Sequence, residues 1–184
     1  NDDYHEENNH WDMERIASKV GVSSRYIAAE DETALDIAFD ACLSLFRDNP
    51  SLKQKIDALI FCTQSGDYIL PPNACVLHGR LGLSENVIAF DFNLACSGFV
   101  YGLSIAKGFI LSGQASNVLL VNSDTYSKYI HKLDRSVRVL FGDGAAATWI
   151  TGSNTTQGLE SIACSTAGVH YDKFMIPAGG CRMP

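Results

Sequence analysis

Apolar residues recur along this chain with two different periods, and the two alternate. Ala34, Ile37, Ala38, Ala41 and Leu45 share one face at helical spacing, which predicts a helix opening at Asp31 or Glu32 and running to Arg47. Asn49-Pro50 ends it, because a proline drives the residue before it out of the helical region. Ala58 to Thr63 reads as an apolar strand. Pro71-Pro72 breaks the chain before a helix from Asn73 to Leu81 that closes near Gly82. The run Val87 to Phe92 is apolar, β-branched and aromatic, the signature of a buried strand. From Ser97 to Ser112 the period lengthens again, with Phe99, Leu103, Ala106 and Ile110 on one face. A strand at Val118 follows, then the strand-like run Val137 to Leu140 at the end of an irregular charged stretch, 126–138. Ala145 to Ile150 and Leu159 to Ser165 read as two more strands around a polar turn, Thr151 to Gly158. Trp11 to Val20 is a short helix with Asp12 and Glu14 in its first turn. Strands alternating with helices predict one layered α/β domain, without internal repeat or linker.

Composition narrows the classes. Of 184 residues, 46% are hydrophobic and 19% charged, enough to build a core and too apolar for a disordered chain. The net charge of −7 disfavours general nucleic-acid binding. No apolar run approaches the ~18 residues that span a bilayer, and the polar, acidic stretch Asn1 to His10 does not resemble a signal peptide. The expectation is a cytoplasmic protein without nucleic-acid or membrane partners. Its six cysteines, at 42, 62, 75, 96, 164 and 181, show no CxxC pair and no zinc spacing, so reduced thiols and no structural metal are expected. Cys42, Cys62 and Cys75 lie in apolar segments and read as core thiols.

Cys96 is different. In Asp91-Phe92-Asn93-Leu94-Ala95-Cys96-Ser97-Gly98-Phe99 it stands between a strand and the first turn of a helix. Unpaired N–H groups and the positive end of the helix dipole point there, so a thiolate is stabilised. Gly98 allows a close approach by backbone or substrate. Two readings stay open on this pattern, a nucleophile and a small buried hydrophobe. Further on, Phe141-Gly142-Asp143-Gly144-Ala145 makes a tight turn followed by small residues that pack closely.

Taken together, Ala-Cys-Ser-Gly-Phe and Phe-Gly-Asp-Gly-Ala resemble the β-ketoacyl-acyl carrier protein synthase III family, of the thiolase-like superfamily. Gly21-Val22-Ser23-Ser24-Arg25-Tyr26-Ile27-Ala28, Glu32-Thr33, Pro72-Asn73-Ala74-Cys75 and Asn117 to Asp124 match in the same order. The resemblance implies an α/β thiolase-like half of βαβαβαββ type with a mixed sheet. Such a half has its first strand in the middle of the sheet. With no strand before Asn1 and no His-Gln-x-Asn or Asn-Thr-Ser segment, residues 1–184 read as a truncated N-terminal half lacking its first strand, the C-terminal half being absent.

What the resemblance implies for function is an acyltransferase of fatty-acid biosynthesis. It would condense an acyl-CoA starter with malonyl-acyl carrier protein, with decarboxylation, through a thioester on Cys96. Coenzyme A thioester is then a substrate, and no cofactor is bound permanently. The fragment alone would be inactive, since the histidine and asparagine that stabilise the enolate belong to the other half. His5, His10 and His78 are expected to be solvated, and His131 and His170 lie in loops. Alignment places Arg15 where relatives stack a tryptophan on adenine, Lys19 at a basic position, and Arg135 at an arginine that contacts nucleotide or carrier protein. Trp11, one turn away, is a substitute for the tryptophan. Lys128, His131, Lys132, Arg135 and Arg138 form a locally basic stretch, read either as a solvated loop or as a site for anionic coenzyme A or acyl carrier protein. Leu70 aligns with the residue that crosses a homodimer interface to close the partner's acyl tunnel. The alternatives are a related acyltransferase of specialised metabolism, a non-catalytic structural fragment and, more remotely, a cysteine hydrolase.

Overall fold

The computed structural model describes residues 11–153 and 158–184. His5, His10 and the centre of the turn expected at 151–158 lie outside the described residues. The chain runs α1 (Met13–Val20), α2 (Ala34–Asp48), β1 (Ala58–Cys62), α3 (Asn73–Leu81), β2 (Ile88–Phe92), α4 (Gly98–Leu111), β3 (Asn117–Asp124), α5 (Arg135–Arg138) and β4 (Gly144–Thr151). β1 pairs in parallel with β2 and with β3, and β4 returns antiparallel to β3, so the mixed sheet has the order β2-β1-β3-β4.

The central strand β1 is buried along its whole length, and the period of two splits it between two cores. Leu59 and Phe61, with Leu119 and Val121 of β3, pack under Leu35, Ala38, Cys42 and Phe46 of α2 and Leu77 and Leu81 of α3. Ala58 and Ile60, with Val118 and Leu120, face Ala106 of α4. Covering both faces makes β1 read as an unbroken apolar run, and each large side chain so buried contributes about 1.5–3 kcal/mol. Carboxylates fasten the helix starts. Thr33 and Asp36 form a reciprocal capping box on α2. Asp91 of β2 accepts the first N–H groups of α3, from Asn73 at 2.6 Å and Ala74 at 2.7 Å. Asp67 joins the two helices by accepting Thr33 Oγ1 at 2.7 Å and Asn73 Nδ2 at 3.1 Å.

Four expectations change. A missing central strand has no slot, because β1 pairs directly with β3; the open edges among the described residues are β2 and β4. Val137 to Leu140 is not a strand: Asp134 accepts the Ser136 N–H and starts the short helix α5 there. Leu159 to Ser165 finds no partner strand among the described residues and runs as largely exposed chain without regular structure. Cys75 is exposed, since its helix turns Ala74 and Leu77 inward instead.

The face of α4 also differs from the periodic reading. Phe99 is 44% exposed. The residues against the sheet are Gly98, Gly102 and Ala106, a seam of small side chains. A Cβ on Gly98 would overlap Cys62 Sγ, and one on Gly102 would lie 2.6 Å from Leu120 Cδ1. The helix backbone therefore rests directly on β1 and β3. Gly98→Ala and Gly102→Ala are each expected to cost about 1–3 kcal/mol by overpacking. Gly108 has nothing within 4 Å outside its own helix. Gly108→Ala is expected to gain about 0.5–1 kcal/mol. Denaturant titration of the three variants checks the contrast; equal effects at 102 and 108 would show that contact with the sheet is not what limits residue size.

Candidate active site at the carboxyl edge of the sheet

Because β1, β2 and β3 are parallel, their carboxyl ends meet at one edge of the sheet, the place where open α/β sheets collect functional groups. Cys96 lies there, just beyond β2. Ala95, Cys96 and Ser97 form a single tight helical turn leading into α4. Ala95 has φ +41°, the one positive φ outside glycine among the described residues. A Cβ in that region costs roughly 1–2 kcal/mol, so the turn is held by its surroundings. Ser97 Oγ donates to Leu94 O at 2.9 Å and closes it from within. Below, burial pushes the Cys62 thiol up, against hydrogen bonds from Leu94 N–H and the Asn122 side chain. Cys62 is thus the floor on which the Cys96 turn stands, and Cys96 itself is exposed.

Cys96 opens on a cavity lined by Leu94, Ala95, Ser97, Asp124, Tyr126, Phe141 and Phe174. Tyr126 stacks on Phe141 at 5.4 Å between ring centres, and Phe141 on Phe174 at 6.0 Å, which builds one aromatic wall. Asp124, the last residue of β3, directs Oδ1 away from solvent to four donors: Gln64 N at 2.7 Å, Ser65 Oγ at 3.0 Å, Ser65 N at 3.1 Å and Thr63 Oγ1 at 3.2 Å. The loop after β1 is thereby tied to the end of β3. Asp143 of the Gly-Asp-Gly turn does the same one loop away. It accepts Ala28 N at 2.8 Å, Ser127 N at 2.9 Å and the Ser127 hydroxyl, while its own N–H donates to Tyr26 O at 2.8 Å. A Cβ on Gly142 would come within 2.9 Å of Tyr26 O, so the small residue is needed for that approach.

The other expected site residues lie apart from this cavity. Arg15 and Lys19 are exposed on α1. Trp11 is not available for stacking: it is 4% exposed and packs with Met13, Ile16 and Val139. Arg135 is exposed at the start of α5. Arg138 Nη1 donates to Lys132 O at 2.8 Å, and Lys128 Nζ to Ala29 O and Glu30 O at 2.9 Å, so two members of the basic stretch brace backbone. Leu70 is 81% exposed beside Ile69 and Tyr68, in the loop that Asp67 anchors. His78 is half-buried with Nε2 2.9 Å from Ser84 O, a contact to the loop that follows α3 where a solvated ring was expected. His131 Nδ1 accepts Leu133 N–H at 3.2 Å, and no histidine lines the cavity among the described residues. Asp124, Tyr126 and Phe174 escaped the sequence reading. The signal for Asp124 was its position at the end of a parallel strand; nothing local marks Phe174, which arrives from a distant loop.

No described helix is long and apolar enough to cross a membrane. The family model of 3-oxoacyl-[acyl-carrier-protein] synthase III matches residues 90–168, which contain both Cys96 and the Gly-Asp-Gly turn. A putative 3-oxoacyl-[acyl-carrier-protein] synthase 3 of Campylobacter jejuni is 36% identical over 94% of this chain and 48% of its own length. The β-ketoacyl-[acyl-carrier-protein] synthase III of Aliarcobacter butzleri is 39% identical over 93% and 52%. A solved 3-oxoacyl-(acyl-carrier-protein) synthase III is 44% identical with a TM-score of 0.93, covering all of this chain and 55% of that one. The chain spans about half the length of the curated relatives it matches.

Burial separates the thiols. It pushes Cys42 up to about 12 and raises Cys62 as well. Iodoacetamide at neutral pH is therefore expected to modify Cys96 and the exposed Cys75, Cys164 and Cys181 ahead of Cys42 and Cys62. Peptide mapping over time reads the order, and early labelling of Cys62 would contradict its place beneath the turn.

Proposed function

Since the chain belongs to the 3-oxoacyl-[acyl-carrier-protein] synthase III family and shares its thiolase-like fold, we propose that the complete polypeptide carrying this sequence condenses an acyl-CoA starter with malonyl-acyl carrier protein in fatty-acid biosynthesis. The observation that carries this is the presentation of Cys96 on a strained turn, at the head of α4 and the mouth of an apolar cavity. In the first half-reaction the Cys96 sulfur attacks the thioester carbonyl. A new C–S bond forms, the bond to coenzyme A breaks, and the coenzyme leaves as its thiol with the proton Cys96 gives up. In the second, the bond from the malonyl α-carbon to its carboxylate breaks as CO₂ leaves, that carbon attacks the acyl-Cys96 carbonyl, and the new C–C bond forms as the C–S bond breaks and Cys96 departs as a thiolate that takes a proton from solvent. In this reading the backbone N–H of Cys96 serves as one oxyanion donor to the thioester oxygen.

Residues 1–184 act in this reading as an N-terminal thiolase-like domain. The exposed apolar side chains of α4, Phe99, Val100 and Leu111, are the surface that a second half of the same fold covers. Arg15, Lys19 and Arg135 supply exposed cations for the phosphates of coenzyme A or for an acidic carrier protein. The exposed Tyr68-Ile69-Leu70 loop makes a homodimer contact, with Leu70 near the partner's acyl pocket. The protein works in the cytoplasm.

Incubation of the complete polypeptide with acyl-CoA and acyl-carrier thioesters is expected to add the acyl mass to Cys96, and Cys96→Ala to abolish it. Acylation of another cysteine, with Cys96 untouched, would falsify the assignment. Arg135→Ala is expected to raise the apparent KM at low salt with little change in melting temperature. Arg138→Ala, which removes a brace on Lys132 O, is expected to cost about 0.5–1.5 kcal/mol of stability. The reverse pattern would make Arg135 structural.

A further inference from the structure

The cavity above Cys96 is apolar on most sides, with Leu94, Ala95, Phe141 and Phe174 in its lining, but it holds polar side chains too. Their hydrogen-bonding capacity is unequally spent. Ser97 Oγ donates within its own turn. Asp124 receives four donors on Oδ1. Tyr126 alone among the lining side chains, apart from Cys96, keeps an uncommitted donor: its hydroxyl makes no hydrogen bond to any described residue. The ring is fixed, because it stacks on Phe141, which in turn stacks on Phe174. Burial, then the negative charges of Asp124 and of the Cys96 thiolate, push its phenol up to about 12, so it stays a donor throughout the neutral range. A wall built only to exclude water is served as well by phenylalanine. A held, protonated phenol that lines the same cavity as Cys96 and has no partner among the described residues costs binding energy when the ligand offers it nothing.

We propose that Tyr126 is a specificity-determining residue: its phenol, held over the Cys96 cavity by the aromatic stack, selects short acyl thioesters carrying a hydroxyl on the acyl chain over plain alkanoyl thioesters of equal length. A hydroxyl suits this cavity better than an oxo group. It accepts from Tyr126 and donates toward Asp124 Oδ2, the oxygen that takes none of those four donors, whereas a carbonyl only accepts. The inference rests on the acylation of Cys96 proposed above and names the substrate class of that site.

The test measures single-turnover acylation of Cys96 in the complete polypeptide by intact mass, with butyryl-CoA against 2-, 3- and 4-hydroxybutyryl-CoA. At least one hydroxybutyryl thioester is expected to react about threefold to tenfold faster than butyryl, the scale of one neutral hydrogen bond. In Tyr126→Phe, which keeps the ring stack, the ratio of the two rates is expected to fall at least about threefold. Butyryl outpacing all three hydroxybutyryl thioesters in the wild type overturns the proposal whatever the variant does. So does an unchanged ratio in Tyr126→Phe, including a fall of both rates by one factor, which would place the phenol at the thioester carbonyl common to every substrate. Should Tyr126→Phe fail to fold, Tyr126→Leu is read in the same way. If no thioester acylates Cys96 while iodoacetamide still does, the acyltransferase reading itself fails, a result distinct from a butyryl preference.

Discussion

The absence of side chains at two positions of α4 sets the geometry of everything above the sheet. Gly98 rests on Cys62 and Gly102 on Leu120, so the helix lies closer to β1 and β3 than any residue with a Cβ allows. That distance fixes the height of the preceding turn, and the turn fixes Cys96. The cost of forcing Ala95 to φ +41° is met by this docking. Close packing is what lets the site tolerate strain: a loosely seated helix would relax the turn and lower the cysteine into the surface.

A second device works laterally. Loops at the carboxyl edge of a parallel sheet have no ladder to hold them, and here aspartates replace it. Asp124 gathers the loop after β1, Asp143 gathers the segments around Ala28 and Ser127, and Asp67 and Asp91 gather the starts of α2 and α3. Each carboxylate accepts backbone N–H groups that would otherwise be orphaned near the surface. The acidic character of the chain is partly this scaffold, so net charge alone is a poor guide to its partners.

How much of this the sequence discloses depends on the range over which each feature is decided. β1 and α3 follow from local period and prolines, and the structure has them where the pattern puts them; α2 opens later than the expected Asp31 or Glu32, at Ala34, because the cap is Thr33. The place of Cys96 between a strand and a helix was legible because strand, turn and helix are contiguous there. Its floor was not: nothing in Ala58-Leu59-Ile60-Phe61-Cys62 announces that a glycine thirty-odd residues later will sit on that sulfur. Phe99 was misplaced because periodicity weights large residues, while α4 docks through its smallest ones. Val137 to Leu140 read as a strand on composition, and one aspartate cap at 134 outweighed it. The Leu159 to Ser165 run has strand-forming residues without a partner strand among the described residues, a fact no local window contains. The expectation of a first strand in the middle of the sheet fails because β1 pairs directly with β3, and strand order is a property of the whole sheet.

The cavity is unequal in its mechanics. On one side stand the sheet, the glycine seam and the Asp124 staple, all parts of the core. The opposite side is closed by Phe174, from a largely exposed stretch that joins no strand of the sheet among the described residues and is tied to the body through Tyr101 with Ser165 and Thr166, Lys107 with Leu159 and Glu160, and the stack on Phe141. A ligand entering here meets a stiff surface and a compliant one. The stiff side discriminates chemistry, since its donors and acceptors cannot follow a misplaced atom. The compliant side yields to bulk, since it is held by a ring stack and by hydrogen bonds at the surface rather than by the core. Selection by functional group and tolerance in size are thereby assigned to different walls of the same space.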